Sequence, residues 1–152
     1  FARAFLKSQT GAGVSLPSAG RVFLSVRDRD KAAITALARS LIDMGFVLVA
    51  TAGTAKHLES AGVAVEAIKK VYEGRPNVVD AMISGTIDLV VNTTEGAKAI
   101  ADSFSLRRTA LVRQIPYYTT LSGARAAVQA IAALRRGQLE VAPLQSYFRG
   151  SF

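Results

Sequence analysis

The chain has 152 residues, no cysteine, one histidine and a formal net charge of +8, and half of its residues are hydrophobic. Its length is that of one domain, enough to bury about 68–70% of the unfolded surface without covalent staples. Disulfides and thiolate metal sites are excluded, the single histidine argues against a histidine-built metal centre, and no apolar run reaches the roughly 18 residues that would span a bilayer.

Phe1 to Lys7 carries neither an initiator Met nor a signal-peptide core, and reads as the end of something longer. The lack of cysteine fits a reducing, cytoplasmic compartment. Residues 8–20 are rich in Ser and Gly and read as a linker. The organisation expected is therefore 1–19 as the end of a preceding domain and its linker, 20–137 as the domain, and 138–152 as a C-terminal tail. The tail is too aromatic for simple linker and is expected to pack on the sheet edge or on a neighbour. The 19 basic residues run from Arg3 to Arg149 without a dense tract, and few aromatics lie among them. The net charge favours anionic partners, but that pattern reads as a soluble basic surface rather than a nucleic-acid interface.

Arg21 to Val26 is β-branched and aromatic, a first strand. Asp28 or Asp30 can cap the helix after it, whose Ile34, Leu37, Ala38, Leu41 and Ile42 follow helical spacing up to Gly45. Phe46 to Ala50 is apolar throughout, as in a strand buried on both faces of a parallel sheet. A short helix opens at Thr54 and stops at Gly62. Residues 63–68 alternate weakly as a third strand, and 69–77 form a polar loop. A helix comes next at 78–84, then a strand at 87–92. Helical stretches are expected at 96–104 and 106–114, a last short strand at 116–119, and an Ala-rich helix from Leu121 to Arg136 closed by Gly137. Strands alternating with helices predict an α/β domain: five parallel strands with helices on both faces.

In open parallel sheets, ligands bind beyond the carboxyl ends of the strands. The segments just after the strands are rich in polar residues: Ser25 to Lys31, then Thr51-Ala52-Gly53-Thr54, then Lys69 and Lys70, then Asn92-Thr93-Thr94, then Thr119 and Thr120. The set reads as a phosphate cradle. Gly53 lets the backbone approach closely and adopt an unusual φ. Amides opening the helix near Thr54 favour an anion, hydroxyls add donors, and a lysine adds charge. Taken singly, Thr51 and Thr54 are better explained as helix caps, and Asn92 as a turn residue; their joint placement on one sheet edge favours a site. Asp28, Asp30, Glu73 and Glu95 read as caps or solvated charge, and His57 as a surface residue. No nucleophile elbow, Walker loop or G-x-G-x-x-G occurs, so no catalytic residue is assigned. Thr54→Ala is expected to weaken binding with little change in melting.

Gly20 to Arg27 with Asp30-Lys31, Ala50 to Ala55, Lys70 to Pro76 and Val91 to Thr94 together resemble the C-terminal allosteric domain of the carbamoyl phosphate synthase large subunit, of bacterial type. The resemblance covers about Gly20 to Gly137 and implies a methylglyoxal synthase-like fold. It also implies a non-catalytic regulatory domain whose parent, an ATP-dependent ligase using Mg or Mn, makes carbamoyl phosphate from glutamine for arginine and pyrimidine synthesis. The implied partners are a nucleotide monophosphate (UMP as inhibitor, IMP as activator), upstream synthetase domains and a glutaminase small subunit. Lys31, Thr51, Gly53, Thr54 and Lys70 match phosphate and nucleotide contacts, and Asn92 and Thr94 match sugar and base contacts. Tyr117 and Thr119 match a region where ornithine binds in some members. There Tyr118 stands where an acidic residue is expected, which removes a counter-charge for the ornithine amine. The alternatives are a catalytic methylglyoxal synthase-like lyase and a purine-pathway cyclohydrolase domain. The histidine and carboxylate that the lyase would need are missing from Ser25-Val26-Arg27 and Asn92-Thr93-Thr94.

Overall fold

Successive residues of a strand point to opposite faces, so a strand apolar at every position needs cover on both sides. The computed structural model of the chain provides it. The structure describes the backbone of residues 16, 17, 19–93 and 97–148, and the side chains of these residues apart from 72, 97–102 and 137–148. Five strands, β1 (Arg21–Ser25), β2 (Val47–Ala50), β3 (Glu66–Ala67), β4 (Leu89–Asn92) and β5 (Tyr117–Tyr118), form one sheet in the order β3-β2-β1-β4-β5. Every neighbouring pair is parallel. The helices are α1 (Lys31–Asp43), α2 (Ala52–Ser60), α3 (Val78–Ile83), α4 (Ala97–Arg113) and α5 (Leu121–Phe148).

Val22, Leu24, Leu48, Ala50, Leu89 and Val91 face one core, filled by Ile34, Leu37 and Leu41 of α1, Leu58 of α2 and Ile131 of α5. The intervening Phe23, Val49 and Val90 face a second core with Val78 and Met82 of α3 and Leu106 and Ala110 of α4. Each fully buried side chain of this size contributes about 1.5–3 kcal/mol relative to exposure. The doubly covered parallel sheet expected from the sequence is the one observed.

The elements differ from expectation in four places. The third strand shrinks from 63–68 to Glu66–Ala67, because only these residues reach β2, opposite Val49 and Ala50, while Val63 turns into the core at 4% exposure. The stretches at 96–104 and 106–114 are one helix, α4; no Gly or Pro separates them, and the chain turns only at Gln114, whose φ is 58°. Helix α5 is not closed by Gly137 but runs to Phe148. An interior glycine costs about 1 kcal/mol against alanine, and Arg135, Arg136, Gln138 and Leu139 beside it are good helix formers. The first part of the expected tail is therefore helical; residues 1–15, 18 and 149–152 lie outside the described residues. Finally, neither Asp28 nor Asp30 caps α1: Asp30 holds the N-cap position but makes no side-chain cap bond, because its carboxylate is bound by Arg27.

Candidate functional site

From β1 the chain builds β2 and β3 on one side of the sheet, and later β4 and β5 on the other. Connections that diverge in this way leave a crevice beyond the carboxyl ends of β1 and β4. A cavity of ≈ 600 Å³ opens there. Lys31, Thr51, Gly53, Thr54, Lys70 and Asn92 all line it, so the structure gathers six of the seven residues expected at the sheet edge. The seventh, Thr94, lies outside the described residues, as does Glu95. Tyr117 and Thr119 are not part of the lining; Thr119 is exposed.

Hydroxyls fasten the rim. The Val26 amide donates to Thr54 Oγ1 at 3.1 Å. Thr51 Oγ1 donates to Ser25 Oγ at 3.1 Å, so Thr51, although the N-cap of α2, does not cap with its side chain. The Arg27 amide donates to Thr93 Oγ1 at 3.0 Å, and the Thr93 amide donates to the Ser25 carbonyl at 3.0 Å. The loop after β1 is thus tied to both neighbouring strands. Thr54 is 2% exposed, and this changes what its replacement should do. Thr54→Ala leaves the Val26 amide buried without an acceptor, and is expected to cost about 1–3 kcal/mol. Urea denaturation checks this; a change under about 0.5 kcal/mol would mean that the bond carries no net stability.

The first intrahelical bond of α2 runs from the Ala55 amide to the Thr51 carbonyl at 2.7 Å. The amides of Ala52, Gly53 and Thr54 precede it, at the positive end of the helix. Gly53 sits there with an ordinary helical backbone rather than the unusual φ expected of it. A Cβ at Gly53 would stand 3.4 Å from Lys31 Nζ, so the lysine ammonium lies over the first turn of α2. Lys31 Nζ also pairs with Asp28 Oδ1 at 2.6 Å. Arg27 Nε pairs with Asp30 Oδ2 at 2.7 Å. Burial opposes the Asp30 charge, but bonds from Arg27 and Thr93 and the nearby guanidiniums outweigh it and hold its carboxyl below the usual range. The bond and charge of Lys31 do the same to Asp28. Lys70 forms no ion pair among the described residues. Its backbone is fixed where its amide donates to Glu73 Oε1 at 2.6 Å, which makes Glu73 a turn-holding residue. The lining carries Arg27, Arg29, Lys31 and Lys70 against one carboxylate, Asp28.

At the far wall Asn92, 4% exposed, donates from Nδ2 to Ser103 Oγ at 2.9 Å and to Tyr117 Oη at 2.8 Å. Tyr117 lies under the Arg107 guanidinium, 5.7 Å from its ring centre. Tyr117 therefore supports the pocket from behind. Tyr118 points to the other core, half-buried, and that burial raises its hydroxyl pKa. His57 lies away from the cavity, with Nε2 3.1 Å from Thr35 Oγ1.

Sequence reasoning placed Thr93 at the sheet edge but gave it no role of its own, although its hydroxyl joins the β1 and β4 loops, and it missed Ser103, which reaches the cavity from α4. Thr93 lies between two residues singled out by motif, and its position was the available signal; Ser103 carried none. The rest of the lining is apolar: Phe23, Val26, Val71, Val78 and Leu106. The cavity thus offers cations and helix amides beside a nonpolar wall.

The model of the MGS-like domain family matches residues 33–119. The chain is 55% identical over 148 residues to the carbamoyl phosphate synthase large chain of Rhizobium meliloti (strain 1021), covering 97% of this chain and 13% of that one. It is 53% identical to the large chain of Myxococcus xanthus (strain DK1622), covering 97% and 14%, and 45% identical to that of Methanobrevibacter smithii, covering 99% and 14%. The chain therefore spans about 13% of the length of the curated relatives it matches. Among solved structures, methylglyoxal synthase from Elizabethkingia anophelis NUHP1 is similar with a TM-score of 0.61 over 74% of this chain and 79% of that one. At 19% identity this likeness concerns the fold alone.

Proposed function

This chain belongs to the MGS-like domain family, and on that footing we propose that it is the regulatory domain of a glutamine-hydrolysing carbamoyl phosphate synthase large chain. A nucleotide monophosphate binds at the carboxyl edge of the sheet, UMP as inhibitor and IMP as activator, and controls carbamoyl phosphate synthesis for arginine and pyrimidines. The observation that carries this reading is the cavity itself: Lys31, Lys70 and the opening amides of α2 at one side, an apolar wall at the other. The phosphate takes the cationic side, and the base lies against Val71 and Leu106, backed by the buried Phe23 and Val78. Asn92 and Thr94 meet sugar and base. Catalysis, ATP, and Mg or Mn belong to synthetase domains elsewhere in the longer chain, which acts with a glutaminase subunit in the cytoplasm. No helix among the described residues is long and apolar enough to cross a membrane.

Regulation rather than catalysis is supported by the state of the carboxylates. Asp28 and Asp30 are each paired with a cation that depresses their basicity, whereas a general base works best with a pKa near the operating pH. Ornithine control is not part of the proposal, since Tyr118 supplies no counter-charge for an amine.

Titration calorimetry of the chain with UMP and IMP tests the reading. Saturable binding of at least one, displaced by inorganic phosphate, is the expected result. No heat with either at millimolar concentration, or turnover of dihydroxyacetone phosphate to methylglyoxal, would sink it.

A further inference from the structure

Lys31 sets its ammonium beside the opening turn of α2, and it is already occupied. Its Nζ lies 2.6 Å from Asp28 Oδ1, the Asp28 side chain being 95% exposed and the Lys31 side chain 23%. The short 3-10 turn that carries Asp28, Asp28–Asp30, is anchored at its other end by the ion pair of Asp30 with Arg27. The Arg27 amide is in turn held by Thr93. Asp28 is therefore presented to Lys31 from a fixed support. Because Lys31 Nζ overhangs the position of a Gly53 Cβ, the lysine that Asp28 holds is the one beside the positive end of α2, where an anionic ligand would gain most.

We infer that Asp28 is a resident counter-anion of the pocket, holding Lys31 until an incoming phosphate takes its place and so setting affinity below what the cations alone would give. This rests on the anion-binding reading above. An incoming dianion must share or displace a carboxylate already bonded to Lys31, and it also meets the repulsion of that carboxylate. Displacement is easy because the Asp28 side chain is already 95% exposed within the pair, so it loses little by letting go. The pocket thereby trades affinity for reversibility. Lys70, without an ion pair among the described residues, makes first contact; Lys31 joins when Asp28 lets go.

Calorimetry with inorganic phosphate and with UMP, on the wild-type chain and Asp28→Asn, tests this. Asp28→Asn is expected to bind both about two- to fivefold more tightly, the range of an exposed opposite-charge pair, with unchanged melting. Asp28→Glu, which keeps the counter-anion, should stay near wild type. In a Lys31→Met background the gain from Asp28→Asn should shrink, since the part that comes from freeing Lys31 is gone and only the direct repulsion of the carboxylate remains. Equal or weaker binding by Asp28→Asn overturns the proposal, as does an undiminished gain without Lys31, which would mark a general charge effect. If wild type binds UMP and Asp28→Asn binds it no better, this inference alone fails; if neither protein binds phosphate or UMP at millimolar concentration, the nucleotide reading fails with it.

Discussion

Phe23→Ala is expected to remove about 3–5 kcal/mol of folding stability, the usual cost of cutting a buried aromatic back to a methyl group. Phe23 is fully buried in the middle strand of the sheet, between Val49 and Val90, and its side chain belongs to the core beneath α3 and α4. It also lines the ligand cavity. Its removal therefore empties space that opens upward into the pocket, and the neighbours best placed to collapse into it, Val78 and Leu106, are themselves pocket residues. For a domain whose total stability is about 5–15 kcal/mol, a loss of this size leaves a small margin. Urea unfolding followed by circular dichroism measures it. A loss below about 1 kcal/mol would show that the pocket wall repacks freely.

Lys70→Met is expected to weaken UMP binding by about tenfold or more, the effect of losing a charge-assisted hydrogen bond of about 1.5–3 kcal/mol. Lys70 is exposed, and no ion pair holds it among the described residues, so its charge is wholly available to a ligand and its loss costs the fold little. Lys31→Met should weaken binding less, because Lys31 must first give up Asp28. Calorimetry on both variants gives the order. A change under threefold at Lys70, or a larger effect at Lys31, contradicts the assignment of Lys70 as the freely available cation.

Much of this site was legible in the sequence because its residues sit at strand ends. Once Arg21 to Val26, Phe46 to Ala50 and Ile87 to Asn92 are recognised as buried parallel strands, the polar residues after each must meet at one edge, and the cavity holds Lys31, Thr51, Thr54, Lys70 and Asn92 together. The bonds these residues make with one another were not legible. Thr54 looked like a cap or a ligand donor, but its hydroxyl oxygen accepts the Val26 amide. Gly53 looked like a conformational necessity, and is a helical residue beneath Lys31. Ser103, inside the stretch expected to be helical, carried no local sign that it would bond Asn92 at the cavity. Each miss concerns a partner far away in sequence, which local pattern cannot supply.

The bonds that fasten the pocket rim join residues 28 positions apart, Val26 with Thr54, and 66 positions apart, Arg27 with Thr93. Closing chain loops of that length before any contact rewards them is the slow part of folding. The cavity therefore exists only when β1 is paired with both β2 and β4. A ligand can then bind only the complete sheet, and it stabilises that state by about 2.7 kcal/mol at a hundredfold excess over its dissociation constant. Resistance to proteolysis should rise with effector concentration, so that a cell rich in the effector would also hold this domain intact for longer.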